Sequence, residues 1–199
     1  MSKKFNHPTL VVNYMGGPGC GKSTSAAHLF AKLKWAGIGS ELVTEYAKHV
    51  TWEQATYKLS NQTYLFGKQH HRQFILKDKV RVIVTDSPIL LGCIYDKENT
   101  KFLKELMMSE FNKFWNLNIF LSRQKEYDPV GRNQTLEEAI EKDNEMLDFL
   151  RANKIDHIGL PGTEKSVDII YNKVLQMIGE AHSPVNSLSD TEPNEREKL

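Results

Sequence analysis

The chain has 199 residues, of which 40% are hydrophobic and 26% are charged, and its formal net charge is +1. These values predict a soluble globular domain with a sizeable core and exclude, for the chain as a whole, a disordered or strongly basic nucleic-acid-binding protein. No apolar run is long enough to span a membrane, and residues 1–6 lack the apolar core of a signal peptide. The two cysteines, Cys20 and Cys93, predict no disulfide framework or metal site, so we expect a reducing cytoplasm.

A strand, a glycine-rich loop and a helix follow one another near the start of the chain. Residues 9–14 form a short apolar, β-branched run, which is typical of a buried parallel strand. Residues 16–24 read GGPGCGKST and fit the phosphate-binding pattern G-x-x-x-x-G-K-[ST]. Apolar residues at helical spacing then continue until Gly37. The alternative is a glycine-rich turn that binds nothing, and the flanking strand and helix argue against it.

The loop contains the candidate ligands of a nucleotide polyphosphate. Its glycines adopt conformations closed to other residues and bring N–H groups against an anion, to which a helix N-terminus adds its dipole. We expect the Lys22 ammonium to reach the β- and γ-phosphates of ATP and the Ser23 hydroxyl to bind Mg²⁺. The predicted cofactor-binding residues of the loop are Gly16, Gly17, Pro18, Gly19, Cys20, Gly21, Lys22, Ser23 and Thr24.

Strands and helices alternate along the rest of the chain. Further strands are predicted at 41–44, 80–85, 117–121 and 157–160. Helices are predicted at 52–59, 62–76 and 102–114; another begins after Thr135, and a last, separate helix ends at Ile178. Thr135 and Glu138 predict a capping box. The alternation predicts an α/β fold of the P-loop NTPase type, a three-layer sandwich with a parallel sheet of about five strands. We expect one domain at 1–182 and a disordered polar tail at 183–199.

Two carboxylates follow predicted strands. Asp86 follows the strand at 80–85, where a nucleotide enzyme needs a carboxylate for its Mg²⁺; a turn or helix-capping role before Pro88 is the alternative. Glu45 follows the strand at 41–44 and is placed to accept the proton of an attacking hydroxyl, which is often worth ~10²–10⁴-fold in rate. Its alternative is a solvated or capping glutamate. Because parallel strands end at one edge of the sheet, both should converge on the phosphate loop.

The polar stretch 122–133 supplies two candidate arginines. Closing this stretch over ATP would exclude water and bring the Arg132 guanidinium to the γ-phosphate. Arg123, which follows the strand at 117–121, is a second candidate for ATP binding. Solvated surface arginines are the alternative for both.

Two further patterns in the sequence suggest other functions. Residues 153–156 spell N-K-x-D, the guanine-reading string of small GTPases, but they follow a predicted helix and precede a strand, and no D-x-x-G follows the third strand. Guanine recognition by this route is therefore not expected. The segment 68–81 holds five lysines and arginines and two histidines against Asp78, so a nucleic-acid-binding module is an alternative.

Four segments resemble a group of P-loop kinases: the phosphate loop, ELVTEYA at 41–47, TDSP at 85–88 and DPVGR at 128–132. The group contains the nicotinamide-riboside kinase domain of the bacterial NAD-regulator protein and phage-encoded kinases, some of which phosphorylate 5-hydroxymethyluracil in DNA. The resemblance spans roughly residues 9 to 178. It implies roles for Lys22, Ser23, Glu45, Asp86 and Arg132 that match those given above. Deoxynucleoside kinases have an Asp-Arg-Ser type of motif where this chain has Asp86-Ser87, which weakens the transfer of their nucleoside-reading residues.

These features predict an ATP- and Mg²⁺-dependent kinase that transfers the γ-phosphate to a hydroxyl of a nucleoside-like acceptor. The predicted catalytic residues are Lys22, Glu45, Asp86 and Arg132, and the predicted metal ligands are Ser23 and Asp86. The resemblance points to the hydroxymethyl group of 5-hydroxymethyluracil in phage DNA as acceptor. If the protein is phage-encoded, its expected location is the host cytoplasm. A kinase of a free nucleoside or nucleotide, and a regulatory ATPase that is not a kinase, are the alternatives.

Overall fold

Five parallel strands form the sheet at the centre of the protein. The computed structural model describes residues 8–96, 98, 100–124 and 135–179. The strands are β1 (Leu10–Met15), β2 (Ser40–Val43), β3 (Val82–Thr85), β4 (Trp115–Ser122) and β5 (Ile158–Pro161), in the order β2-β3-β1-β4-β5. Every neighbouring pair is parallel. The predicted α/β class and the number of strands are therefore confirmed.

Helices cover both faces of this sheet. They are α1 (Lys22–Trp35), α2 (Tyr46–Trp52), α3 (Gln62–Phe74), α4 (Leu91–Tyr95), α5 (Lys101–Phe111), α6 (Leu136–Ala152) and α7 (Glu164–Ile178). One face packs against α1 and α7, and the other packs mainly against α3, α4, α5 and α6. All six residues of β1 are buried, which explains why its sequence is apolar without alternation. The three layers match the predicted sandwich.

The segment after β2 differs from the prediction. The helix expected at 52–59 is wrong: α2 already begins after Glu45 and ends at Trp52, and a 3₁₀ helix follows at Thr56–Ser60. Gln54, with φ of 56°, breaks the helix because a left-handed residue cannot continue it. Glu45 is the extended N-cap residue of α2, two residues beyond the end of β2. The short helix α4 was not predicted.

The start of α6 agrees with the sequence. Thr135 accepts a hydrogen bond from the Glu138 N–H through Oγ1, and Glu138 Oε2 accepts one from the Thr135 N–H, at 3.3 and 2.8 Å. This is the predicted capping box. Arg132 and the segment 183–199 lie outside the described residues. Within the described ranges, no helix is both long enough and apolar enough to cross a membrane.

Candidate functional site

The carboxyl edge of the sheet gathers four of the predicted site segments. The phosphate loop follows β1, Asp86 follows β3, Arg123 follows β4, and Glu45 lies just beyond β2. Because β1 is flanked by β3 and β4, Asp86 and Arg123 lie on either side of the phosphate loop. Crevices at such an edge are where open α/β sheets bind ligands.

The backbone of the loop has the shape that an anion cradle needs. Gly16, Gly19 and Gly21 have φ values of 128°, 83° and 94°, in the region that favours glycine. Gly21 is the N-cap residue of α1, so the helix begins at Lys22. The Lys22 ammonium donates to the carbonyl oxygens of Gly16 and Gly17 at 2.7 and 2.8 Å. The lysine side chain therefore folds back over the loop, where it can face a bound phosphate.

Arg123 and Asp143 hold the first half of the loop. Arg123 Nη2 donates to the Pro18 carbonyl oxygen at 2.8 Å, and its Nη1 lies 3.0 Å from Asp143 Oδ2. Asp143 Oδ1 accepts a hydrogen bond from the Gly17 N–H. Arg123 was predicted to bind the cofactor, and in this structure it contacts the backbone of the loop that was predicted to do so.

Asp143 is a site residue that sequence reasoning missed. It lies on the face of α6 that carries the buried residues Ala139, Met146 and Leu150, at spacings of three and four residues. A carboxylate within an apolar helical stripe needs a partner, and this was the available signal. The partner could not be read from the sequence because Gly17 is 126 positions away.

Two glycines let other elements approach the phosphate loop closely. A Cβ atom on Gly17 would lie 2.3 Å from the Ala139 carbonyl oxygen of α6. A Cβ atom on Gly162, which follows β5, would lie 2.2 Å from the Cys20 carbonyl oxygen. Gly17 therefore serves the packing of α6 against the loop, in addition to any role towards a phosphate.

Asp86 is a buried carboxylate with an unused oxygen. Its residue is only 4% exposed, and its Oδ1 has no hydrogen-bond partner among the residues that the structure describes. Burying a carboxylate without a partner is costly, so this oxygen suits a cation. Ser23, in the first turn of α1, is exposed and offers a hydroxyl oxygen. Carboxylate and hydroxyl oxygens are ligands that Mg²⁺ accepts when phosphates and water complete its shell.

Ser23 and Asp86 are the two candidate metal ligands among the residues that the structure describes. In the described part of the chain, no group of three or more His, Cys, Asp and Glu side chains could hold a metal ion by itself. A Mg²⁺ ion bound mainly by nucleotide phosphates does not need such a group. The residues present therefore fit Mg²⁺ that arrives with a nucleotide, and they do not fit a dedicated structural metal site.

Glu45 lies within the electrostatic reach of the loop and of Asp86. Burial raises the pKa of the Glu45 carboxyl; the positive charges of Lys22 and Lys48 lower it, and the negative charge of Asp86 raises it further. The net effect is a rise. The predicted catalytic residues Lys22 and Asp86 are therefore close enough to Glu45 for their charges to act on it. The fourth, Arg132, lies outside the described residues.

Gln69 of α3 connects the segments that carry the two carboxylates. Its Oε1 accepts from the Tyr46 N–H at 2.9 Å, and its Nε2 donates to the Ser87 carbonyl oxygen at 3.0 Å. Thr85 Oγ1 also donates to the Val43 carbonyl oxygen at 2.8 Å. The residue next to Glu45 and the residue next to Asp86 are thus bonded to one buried amide.

Aromatic and cationic side chains lie beside Glu45 on α2 and α3. The hydroxyl oxygens of Tyr46 and Tyr64 are 2.5 Å apart, and this hydrogen bond raises the pKa of Tyr46. Arg72 lies 5.0 Å from the centre of the Tyr46 ring and donates to the Thr44 carbonyl oxygen, while Lys68 lies 5.6 Å from the Tyr64 ring. Rings and cations of this kind suit a planar, partly anionic ligand.

The N-K-x-D string at 153–156 lies between α6 and β5, as the sequence indicated. The carbonyl oxygen of Asp156 accepts a hydrogen bond from the buried Asn118 of β4 at 3.0 Å. The string therefore precedes its strand, which is the position that argued against guanine recognition.

Comparisons with known proteins agree with this fold. A deoxyadenosine kinase from M. mycoides, solved with dCMP and a flexible dCDP, is 18% identical, with a TM-score of 0.58 over 83% of this chain and 99% of its own. APS kinase from Mycobacterium tuberculosis is 18% identical over 73% of this chain and 99% of its own, and its TM-score of 0.40 is too low to indicate a shared fold. Curated protein sequences give no match. The sequence profile described as an AAA domain matches residues 11–166, so the chain belongs to that AAA domain family.

Proposed function

We propose that this protein is an ATP- and Mg²⁺-dependent kinase that transfers the γ-phosphate to a hydroxyl of a nucleoside-like acceptor. The observation that carries the proposal is that Lys22, Asp86 and Glu45 all follow strands at the carboxyl edge of the sheet, where the charges of the first two act on the pKa of the third. Binding and hydrolysing ATP needs the first two residues. A half-buried glutamate with a raised pKa beside them is what a hydroxyl acceptor needs.

The donor half of the site is the phosphate loop. The loop amides and the Lys22 ammonium would hold the β- and γ-phosphates, and the Ser23 hydroxyl and Asp86 Oδ1 would hold Mg²⁺. Mg²⁺ supplies neutralisation of the charge on the phosphate oxygens during transfer. Arg132, which precedes α6 in the sequence, would add positive charge at the γ-phosphate, a role worth on the order of 10³–10⁵-fold in related chemistry.

The acceptor half begins at Glu45. Its carboxylate would take the proton of the acceptor hydroxyl, whose oxygen forms a bond to the γ-phosphorus while the bond to the β–γ bridging oxygen breaks and ADP leaves. Burial raises the Glu45 pKa and so makes this carboxylate a stronger base than an exposed glutamate. Tyr46, Tyr64, Lys68 and Arg72 would form the wall that contacts the acceptor.

The finer identity of the acceptor is part of the proposal. The resemblance of the phosphate loop, 41–47, 85–88 and 128–132 to phage kinases favours the hydroxymethyl group of 5-hydroxymethyluracil in DNA. The fold shared with a deoxyadenosine kinase fits a free nucleoside equally well. Both acceptors present a planar base and a primary hydroxyl. Both cysteines are free and buried, which suits the reducing cytoplasm in which such kinases would work.

The test is phosphate transfer from γ-labelled ATP by the purified full chain. Parallel reactions contain nucleosides, nucleotides, unmodified DNA or DNA with 5-hydroxymethyluracil, and Glu45→Gln serves as the paired inactive variant. We expect label in one acceptor pool, lost in Glu45→Gln while ATP binding is kept. ATP hydrolysis without a labelled acceptor, equal in both proteins, would overturn the kinase and favour a regulatory ATPase.

A further inference from the structure

Asp143 and Arg123 act on the phosphate loop from outside the pattern that identifies it. Two hydrogen bonds join them to the loop: Asp143 accepts from the Gly17 N–H, and Arg123 donates to the Pro18 carbonyl oxygen at 2.8 Å. The two side chains also pair with each other at 3.0 Å. The side chains are only 16% and 12% exposed, so solvent screens the pair weakly. We call these four residues the loop clamp.

We propose that Asp143 is a positioning residue for the nucleotide: through Gly17 and Arg123 it holds the first half of the phosphate loop in its binding shape. The proposal rests on the proposed function to the extent that the loop binds ATP. The Lys22 ammonium is hydrogen-bonded to the carbonyl oxygens of Gly16 and Gly17, so the position of Gly17 also sets the position of this ammonium. Misplacing Gly17 therefore misplaces the main cation of the site.

The clamp explains how a carboxylate is tolerated beside a polyanion. A lone carboxylate hydrogen-bonded to the loop would repel the phosphates of ATP through a poorly screened medium. Arg123 cancels that charge and is held by the same loop. In this arrangement the guanidinium of Arg123 binds Asp143 and the Pro18 carbonyl oxygen and so affects ATP binding through the shape of the loop. It differs in this from an arginine that binds a phosphate directly.

This arrangement predicts that Asp143→Ala weakens ATP binding when Arg123 is present and strengthens it when Arg123 has been replaced by alanine. In the native chain, Asp143→Ala should weaken ATP·Mg²⁺ binding by about 5–20-fold, because the loop loses its clamp. Arg123→Ala should weaken it further, by about 10–100-fold, because it leaves an uncompensated carboxylate at the loop. Adding Asp143→Ala to Arg123→Ala should then strengthen binding again, by about 3–10-fold. Asp143→Asn should lie between the native chain and Asp143→Ala, since it still accepts from Gly17.

The experiment is calorimetric titration of the full chain with ATP·Mg²⁺, with thermal unfolding recorded for each variant. The matched control is the pair Asp148 and Arg151, which lies on the same helix at 3.2 Å and is exposed, and whose double alanine variant should bind ATP normally. Should Asp143→Ala fail to fold, Asp143→Asn takes its place in both backgrounds. As a second measurement, NMR should show the Gly17 amide proton exchanging slowly in the native chain and rapidly in Asp143→Ala.

The outcomes separate this proposal from the kinase. If Asp143→Ala leaves ATP binding unchanged or tighter in both backgrounds, Arg123 grips the phosphates directly and the clamp is overturned. The sign reversal in a chain that transfers no phosphate to any acceptor supports the clamp and overturns only the kinase. A native chain that binds no ATP overturns both.

Discussion

Gln69 donates a hydrogen bond to the carbonyl oxygen of Ser87 at 3.0 Å, and so joins helix α3 to the residue that follows Asp86. The same amide accepts from the N–H of Tyr46, the residue that follows Glu45. The two carboxylates of the site lie on different loops, and this buried side chain fixes one loop relative to the other. Gln69 thus helps to set their separation through hydrogen bonds to residues next to each of them.

Gln69→Ala should reduce phosphotransfer by about 10–100-fold, because the acceptor base and the metal ligand lose their common support. The ATP dissociation constant should change by less than about threefold, since the phosphate loop is untouched. Gln73→Ala is the matched control: Gln73 lies one turn further along α3, is similarly buried, and its Nε2 has no partner among the described residues. Gln69→Ala should lose roughly 1–3 kcal/mol of unfolding free energy, because it leaves the Tyr46 N–H and the Ser87 carbonyl oxygen without this partner. An equal loss of activity in both would refute a positioning role for Gln69.

Glu45→Gln should lower kcat by about 10²–10⁴-fold with ATP affinity retained, because an amide cannot accept the acceptor proton. The pH profile of the native chain provides a second check. Activity should fall as the pH drops through the Glu45 pKa, and burial raises that pKa, so the acidic limb should lie above the range of an ordinary glutamate. Lys48→Gln should move the limb to higher pH, since Lys48 lowers this pKa, whereas Lys34→Gln, which removes another surface lysine, should not move it.

The same raised pKa makes a prediction about stability. A carboxyl whose pKa is higher in the folded state stabilises the fold at low pH and loses that contribution as the pH rises through the folded pKa. Glu45→Gln should therefore unfold at a higher temperature than the native chain at neutral pH, by about 2–4 °C per kcal/mol in a domain of this size. The difference should vanish in acid. Thermal unfolding followed by circular dichroism at several pH values measures both; a variant that is less stable at neutral pH would contradict the assignment.

Asp86→Asn should raise the Mg²⁺ concentration required for phosphotransfer by about 10-fold or more, because a neutral amide oxygen binds Mg²⁺ more weakly than a carboxylate. It should not destabilise the chain, since the native Oδ1 has no hydrogen-bond partner among the residues that the structure describes. Asp96→Asn is the control, because Asp96 is also buried but accepts from the Thr100 N–H at 2.7 Å. That variant should leave the Mg²⁺ requirement unchanged. An unaltered Mg²⁺ titration in Asp86→Asn would remove Asp86 from the metal site.

Gly17→Ala should abolish ATP binding and destabilise the chain, because the new Cβ atom would meet the Ala139 carbonyl oxygen at 2.3 Å. Gly67→Ala is the control, which tests whether adding a methyl group to any glycine lowers ATP binding and stability. Gly67 lies in α3 with nothing within 4 Å of its Cβ position, so alanine there should stabilise the helix by roughly 0.8–1.0 kcal/mol. Calorimetric titration and chemical unfolding give both quantities. Normal ATP binding by Gly17→Ala would show that α6 can move away from the loop without consequence.

Local patterns were enough for most of the fold. The apolar runs of β1 and β3, the glycine-rich loop and the capping box of Thr135 each depend on neighbouring residues, and each lies in the structure where the sequence placed it. The helix expected at 52–59 was wrong for a local reason as well. The left-handed backbone conformation of Gln54 interrupts the helix, and a glutamine in the sequence gives no indication of that conformation.

By itself, the sequence determined the α/β class, the phosphate loop and the strand ends from which Asp86 and Arg123 emerge, because these depend on periodicity and on spacing along the chain. Only the tertiary structure decided that Asp143 bonds to Gly17, that Gln69 joins the Glu45 and Asp86 loops, and that Arg123 turns to the Pro18 carbonyl oxygen. Those contacts link residues far apart in the chain. They arise from the strand order β2-β3-β1-β4-β5 and from the packing of α3 and α6 on the sheet, which local sequence does not specify.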